Sequence, residues 1–158
     1  MPRNPHADYP IPIDRKAHTP SGAAFTRLVF DLFRLYGRMI ASGDRMGVDL
    51  GMTSARWQVL GAIGAEPKTV AAAARAMGLT RQNVQRIADW LVESGLADYV
   101  DNPNHRRAKL VALTSKGVAM RLKLHRRQVK WANAVGEHLT AKELEAAIDV
   151  LRRLQRLA

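Results

Sequence analysis

The chain has 158 residues, 47% of them hydrophobic and only 6% aromatic, enough for one compact unit packed through small and aliphatic side chains. Its net charge is +11, and eleven Lys/Arg stand against four Asp/Glu between Arg81 and Lys130, so the excess sits in one third of the chain and calls for a polyanion. There is no cysteine, which excludes disulfides, zinc-thiolate sites and thiol-based redox sensing. Met1 to Ser21 lacks the apolar core of a signal peptide, and no run approaches the roughly 20 apolar residues of a membrane span. A cytoplasmic protein is the expectation.

Five of the seven prolines fall in residues 1–20, a Pro-rich extended arm, disordered or lying over a partner subunit, with contact of this basic arm with DNA ranked below both. Thr19-Pro20 is a cap followed by a first-turn proline and opens a helix, with apolar residues at Phe25, Leu28, Val29, Leu32, Leu35, Tyr36, Met39 and Ile40. Gly43 and Gly47 are expected to end it. This N-terminal helix, residues 21–48, is assigned to dimerisation.

Residues 49–113 read as one lobe. A second helix starts at Thr53, carries Trp57, Val59, Leu60 and Ile63, and stops before Glu66-Pro67. A third, Ala-rich helix runs from about Thr69 to Met77, with Gly78 at a left-handed C-terminal position. Thr80 caps a fourth, whose apolar face is Val84, Ile87, Ala88 and Leu91, and Gly95 ends it. Leu96 to Val100 and Ala108 to Leu113 are short and rich in strand formers, and the turn-forming, basic Asp101 to Arg107 lies between them, so a β-hairpin with a charged tip is expected.

Residues 114–158 are helical again. Thr114 caps a long helix to about Val135. Thr140 and Glu143 have capping-box spacing and open a last helix, with Leu144, Ala147, Ile148, Leu151, Leu154 and Leu157 on one side. The first and last helices carry longer apolar stripes than one chain needs. Phe25, Leu28, Leu144, Ile148, Leu151 and Leu154 are therefore the candidate dimer contacts.

Function is concentrated between the third helix and the hairpin. Ala74 lets two helices approach, Gly78 permits a sharp turn and Val84 fills the angle between them, as a helix-turn-helix requires. With Val84, Ile87 and Leu91 inward, Gln82, Gln85, Arg86 and Asp89 point away, flanked by Thr80, Arg81 and Asn83. Gln, Asn and Arg match the donors and acceptors of base edges in the major groove. At the hairpin, His105, Arg106, Arg107 and Lys109 can reach a phosphate or a narrow minor groove, while one Arg pairs with an acid such as Asp101. Lys116, Arg121, Lys123, Arg126, Arg127 and Lys130 lie on the long helix with no acid from Ser115 to Lys130. They are either a solvated face or an extension of the positive field toward DNA.

Helix, turn, helix, hairpin, long helix, final helix: from Phe25 onward the chain resembles the MarR family of bacterial winged-helix regulators. The resemblance is carried by Gly95-Leu96, the basic wing from Arg106 to Lys109, and Leu113-Thr114-Ser115-Lys116-Gly117, together with Met52-Thr53 and Trp57. It implies a mainly α fold with a small β-hairpin wing, and a winged helix-turn-helix lobe joined to a helical dimerisation lobe. It also implies a homodimer on an inverted-repeat operator, usually repressing, and often released by a small phenolic ligand. An acid commonly precedes the wing Arg pair in the family; here that position holds His105, which leaves the acid–Arg brace open. Candidate walls of a ligand pocket, chosen by type and approximate place, are Phe33, Tyr36, Met39, Trp57 and Trp90.

Enzymatic activity is not expected. There is no phosphate-binding Gly loop, nucleophile elbow, metal motif or paired carboxylates, and no cofactor is implied. His6, His18, His105, His125 and His138 show no ligand spacing, so no metal is expected. The competing reading is a non-specific nucleoid-associated or RNA-binding winged-helix protein, whose charge would look much the same.

Overall fold

A computed structural model of the chain describes residues 17–64, 66–105 and 107–157. The Pro-rich segment up to residue 16 and Arg106 lie outside them. Six helices and a three-stranded antiparallel sheet follow in chain order: α1 Pro20–Gly47, a 3-10 turn Val48–Leu50, α2 Ser54–Ile63, β1 Lys68–Thr69, α3 Val70–Met77, α4 Arg81–Glu93, β2 Ala97–Val100, β3 Leu110–Leu113, α5 Ser115–Gly136 and α6 Ala141–Gln155. The fold class is mainly α with a small β wing, as the sequence implied.

Every helix begins at a threonine cap. Thr19, Thr53, Thr69, Thr80, Thr114 and Thr140 each accept from a backbone N–H of the first turn, and Thr140 with Glu143 completes a capping box. Gly78, at φ 63°, closes α3 in the left-handed region, and the Leu79 N–H donates to the Ala74 carbonyl at 3.0 Å. That closure sets the sharp turn into α4.

One expectation fails at Gly43, which lies inside α1 rather than at its end. A Cβ there would lie 2.6 Å from Ser54 Oγ, and one on Gly47 would lie 2.1 Å from the Met52 carbonyl. Both glycines serve the close approach of α1 to the start of α2, a tertiary demand that local pattern does not reveal. Asp44 Oδ1 accepts from the Ser54 N–H at 2.5 Å across the same contact.

The sheet order is β1-β3-β2, with Lys68 opposite Val111 and Tyr99 opposite Val111 on the other side. The expected hairpin is present. β1 was not expected, because a two-residue strand carries no period.

The core is formed by Met52, Val59, Leu60, Ile63, Val70, Ala73, Ala74, Val84, Ile87, Ala88, Leu91, Leu96, Ala97, Val111 and Leu124. Only Leu124 comes from outside the segment 49–113. The α6 helix buries no residue, and α1 buries only Gly43 and Gly47.

Candidate nucleic-acid interface

The α4 helix is fixed on its inner side by Val84, Ile87, Ala88 and Leu91, none more than 5% exposed. Such packing fixes its rotation, and therefore which side chains face out. Arg81, Gln82 and Arg86 are exposed and Asn83 is half-buried. Arg86 Nη2 donates to Asn83 Oδ1 at 3.3 Å, and Asn83 N–H donates to Thr80 Oγ1 at 3.3 Å. Gln82 and Arg86 therefore face outward together in the first half of the helix, with Asn83 tied to Arg86 and Arg81 exposed at the helix start.

Gln85 and Asp89 do not simply point away. Both are half-buried and tied to the hairpin. Gln85 Nε2 donates to Tyr99 Oη at 2.6 Å and to Asp89 Oδ1 at 2.9 Å, and Tyr99 Oη donates to Asp89 Oδ1 at 2.6 Å. Burial, reinforced by the Asp89 hydrogen bond, pushes the Tyr99 hydroxyl up to about 12, so it remains a donor across the physiological range. The sequence offered no sign of Tyr99, because its partners on α4 are separated from it by 10 and 14 residues.

The wing lies against the start of α4. Arg81, His105, Arg107 and Lys109 line one open cleft of about 510 Å³, together with Thr69, Val70, Ala71, Gln85, Tyr99 and Ala108, and no acid among the described residues borders it. Three cations and a histidine from two elements thus converge on one space. The expected brace to Asp101 is not formed by Arg107; among the described residues no ion pair joins the two.

On the other side of α4, the Arg56 guanidinium sits over the Trp90 ring, 3.6 Å from its centroid, and donates to the Gly51 carbonyl at 2.9 Å. Trp90 is therefore a stacking partner for Arg56, beside a cleft shared with Gln82, Gln85, Arg86, Asp89 and Glu93. Trp57 borders a different cleft of about 260 Å³ between α2 and α5, with Gly61, Arg121, Leu122 and His125. Phe33, Tyr36 and Met39 are exposed on α1. A single chain does not bring the five expected pocket residues together, because α1 presents its apolar face outward instead of covering the lobe. Among the described residues no cluster of three His, Asp or Glu forms a metal site.

The long-helix cations also divide. Arg127 is not free in solvent: its two Nη atoms meet the Asp49 carboxylate at 2.5 and 2.7 Å, and Nη1 also donates to the Met46 carbonyl. Lys116 Nζ caps the end of α4 through the Ser94 carbonyl at 2.9 Å. Lys123, Arg126 and Lys130 remain exposed.

Comparison with known proteins fits this geometry. The profile of the MarR family matches residues 50–108, which span α2 through β2 and most of the wing loop that follows it. Uncharacterized protein Rv2011c of Mycobacterium tuberculosis is 39% identical over 128 residues, covering 81% of this chain and 90% of its own. The crystal structure of CouR from Rhodococcus jostii RHA1, bound to p-coumaroyl-CoA, superposes with a TM-score of 0.72 at 25% identity, covering 80% of this chain and 90% of CouR. PcaV from Streptomyces coelicolor, solved with its natural ligand, is similar in fold, with a TM-score of 0.63, 24% identity, and 92% and 97% coverage.

Proposed function

The chain belongs to the MarR family of winged-helix transcription regulators, and on that premise we propose that it binds double-stranded DNA sequence-specifically as a homodimer, reading an inverted-repeat operator and repressing the genes beside it. The observation that carries this reading is the basic cleft where Arg81 at the head of α4 meets His105, Arg107 and Lys109 of the wing. That cleft supplies phosphate contacts, and the Gln82 and Arg86 face beside it supplies base contacts.

Dimerisation is supported by apolar surface that one chain leaves bare. Phe25, Phe33, Leu35, Tyr36 and Met39 on α1, and Leu144, Ile148 and Leu151 on α6, are all more than a third exposed. A second copy covering these stripes would place two α4 helices on one face, about one turn of DNA apart. No helix among the described residues is long and apolar enough to cross a membrane, and we place the protein in the cytoplasm with its DNA.

Release by a small aromatic ligand is the second part of the proposal. The cleft between α2 and α5 offers the Trp57 ring beside Arg121 and His125, a suitable combination for an aromatic acid. Phe33, Tyr36 and Met39 would join it only from the partner's side of a dimer.

Selection from a randomised duplex library at near-physiological salt tests the reading. Enrichment of an inverted repeat supports a sequence-specific dimer. Recovery of unrelated sequences, with binding that salt abolishes, would assign the protein to non-specific nucleic-acid binding instead.

A further inference from the structure

The triangle joining Gln85, Asp89 and Tyr99 has a chemical direction. An ionised carboxylate only accepts, so the single hydroxyl proton of Tyr99 goes to Asp89 Oδ1 at 2.6 Å. The Tyr99 oxygen then accepts from Gln85 Nε2, also at 2.6 Å. Turning the Gln85 carboxamide over would set its oxygen 2.9 Å from Asp89 Oδ1, acceptor against acceptor. The nitrogen end of Gln85 is therefore held toward the protein. The end left over is Oε1, on a side chain that borders open clefts on both sides of α4.

We infer that Tyr99, on a wing strand and not on the recognition helix, determines which bases Gln85 reads: it holds the carboxamide by its nitrogen, so that Oε1 accepts from an exocyclic amino group of adenine or cytosine. A free glutamine grips adenine with both ends, donating to N7 and accepting from N6. With the nitrogen engaged, the bidentate grip is lost and the choice becomes amino against keto. Adenine N6 and cytosine N4 are accepted, while guanine O6 and thymine O4 are refused. Tyr99 is a positioning residue here, and it makes the wing strand part of the specificity, beside the phosphate contacts of the wing loop. The inference rests on the proposed DNA-reading function.

The test is selection from a randomised duplex library by the wild-type protein and by Gln85→Ala, Tyr99→Phe and Asp89→Asn. Tyr99→Phe keeps the ring and its packing, and thermal melts by circular dichroism check that each variant is folded. Gln85→Ala identifies the base position that Gln85 reads. The expected result is an adenine-or-cytosine preference there in the wild type, which narrows toward adenine in Tyr99→Phe and Asp89→Asn as the carboxamide is released, cytosine falling about tenfold against adenine, the size of one altered base contact, with the other positions unchanged. A Tyr99→Phe motif identical to the wild type, or one weakened evenly at every position, would overturn the inference and leave the proposed function standing. A wild-type protein that enriches no motif would overturn both.

Discussion

Arg127, well inside the long helix α5, grips Asp49, 78 residues away in sequence, with both terminal guanidinium nitrogens. The fork-to-fork geometry ties α5 to the turn between α1 and α2. It also holds the Asp49 carboxyl at about 2, below the ordinary value of 3.8, chiefly through the hydrogen bonds from Arg127. Because the folded value is depressed, the native state binds fewer protons than the unfolded one between those two values. The pair's contribution is complete above the unfolded value and disappears as pH falls through about 2. Melting temperatures should therefore differ between wild type and Asp49→Asn near neutrality and converge toward pH 2. A gap that stays constant with pH would show that the ionised carboxylate is not the source of the difference.

Gly117 sits where α5 crosses the end of the turn into β2. A Cβ there would lie 1.9 Å from the Leu96 carbonyl oxygen, which is backbone and cannot swing aside. Gly117→Ala should cost about 1–3 kcal/mol or more in urea denaturation. Gly61, within α2, has nothing within 4 Å of such an atom, and Gly61→Ala should gain about 0.5–1 kcal/mol from helix propensity. Equal effects at the two sites would contradict the packing described.

Arg86 and Arg107 should separate in their effects on DNA. Arg86→Ala is expected to lose about 1–3 kcal/mol on the selected operator and little on random duplex. Arg107→Ala should weaken both to a similar degree and lower the salt slope by about 1. Filter-binding titrations at several salt concentrations distinguish the two, and an Arg86→Ala variant that loses equally on both DNAs would remove its base-reading role.

Leu151 is 37% exposed on α6, a helix that buries nothing within its own chain. Leu151→Asp should sediment as a monomer where the wild type sediments as a dimer. A variant that remains dimeric would move the interface off this stripe.

Local chemistry was legible in the sequence wherever one residue type answers one backbone need. The caps at Thr19, Thr80, Thr114 and Thr140 and the left-handed turn at Gly78 are readable for that reason, as is the inward face of α4. What escaped depends on contacts between distant segments. In the sequence Gly43 looks like a helix stop, whereas its role is to admit Ser54. Gln85 was read as a free outward side chain, because nothing in the helix announces Tyr99. Arg127 and Lys116 were counted in a uniform basic face, although one pairs with Asp49 and the other caps α4. The five aromatic and methionine candidates for a pocket were chosen by type, and type alone does not separate the stacking partner of Arg56 from the exposed face of α1.

The most direct measurement is the affinity of the purified protein for a duplex carrying the selected inverted repeat, set against a scrambled duplex of the same length and composition, both at about 0.15 M salt, with the number of chains per duplex determined by sedimentation. The account predicts two chains on the repeat and a preference of about a thousandfold or more. Equal affinities for the two duplexes would contradict it.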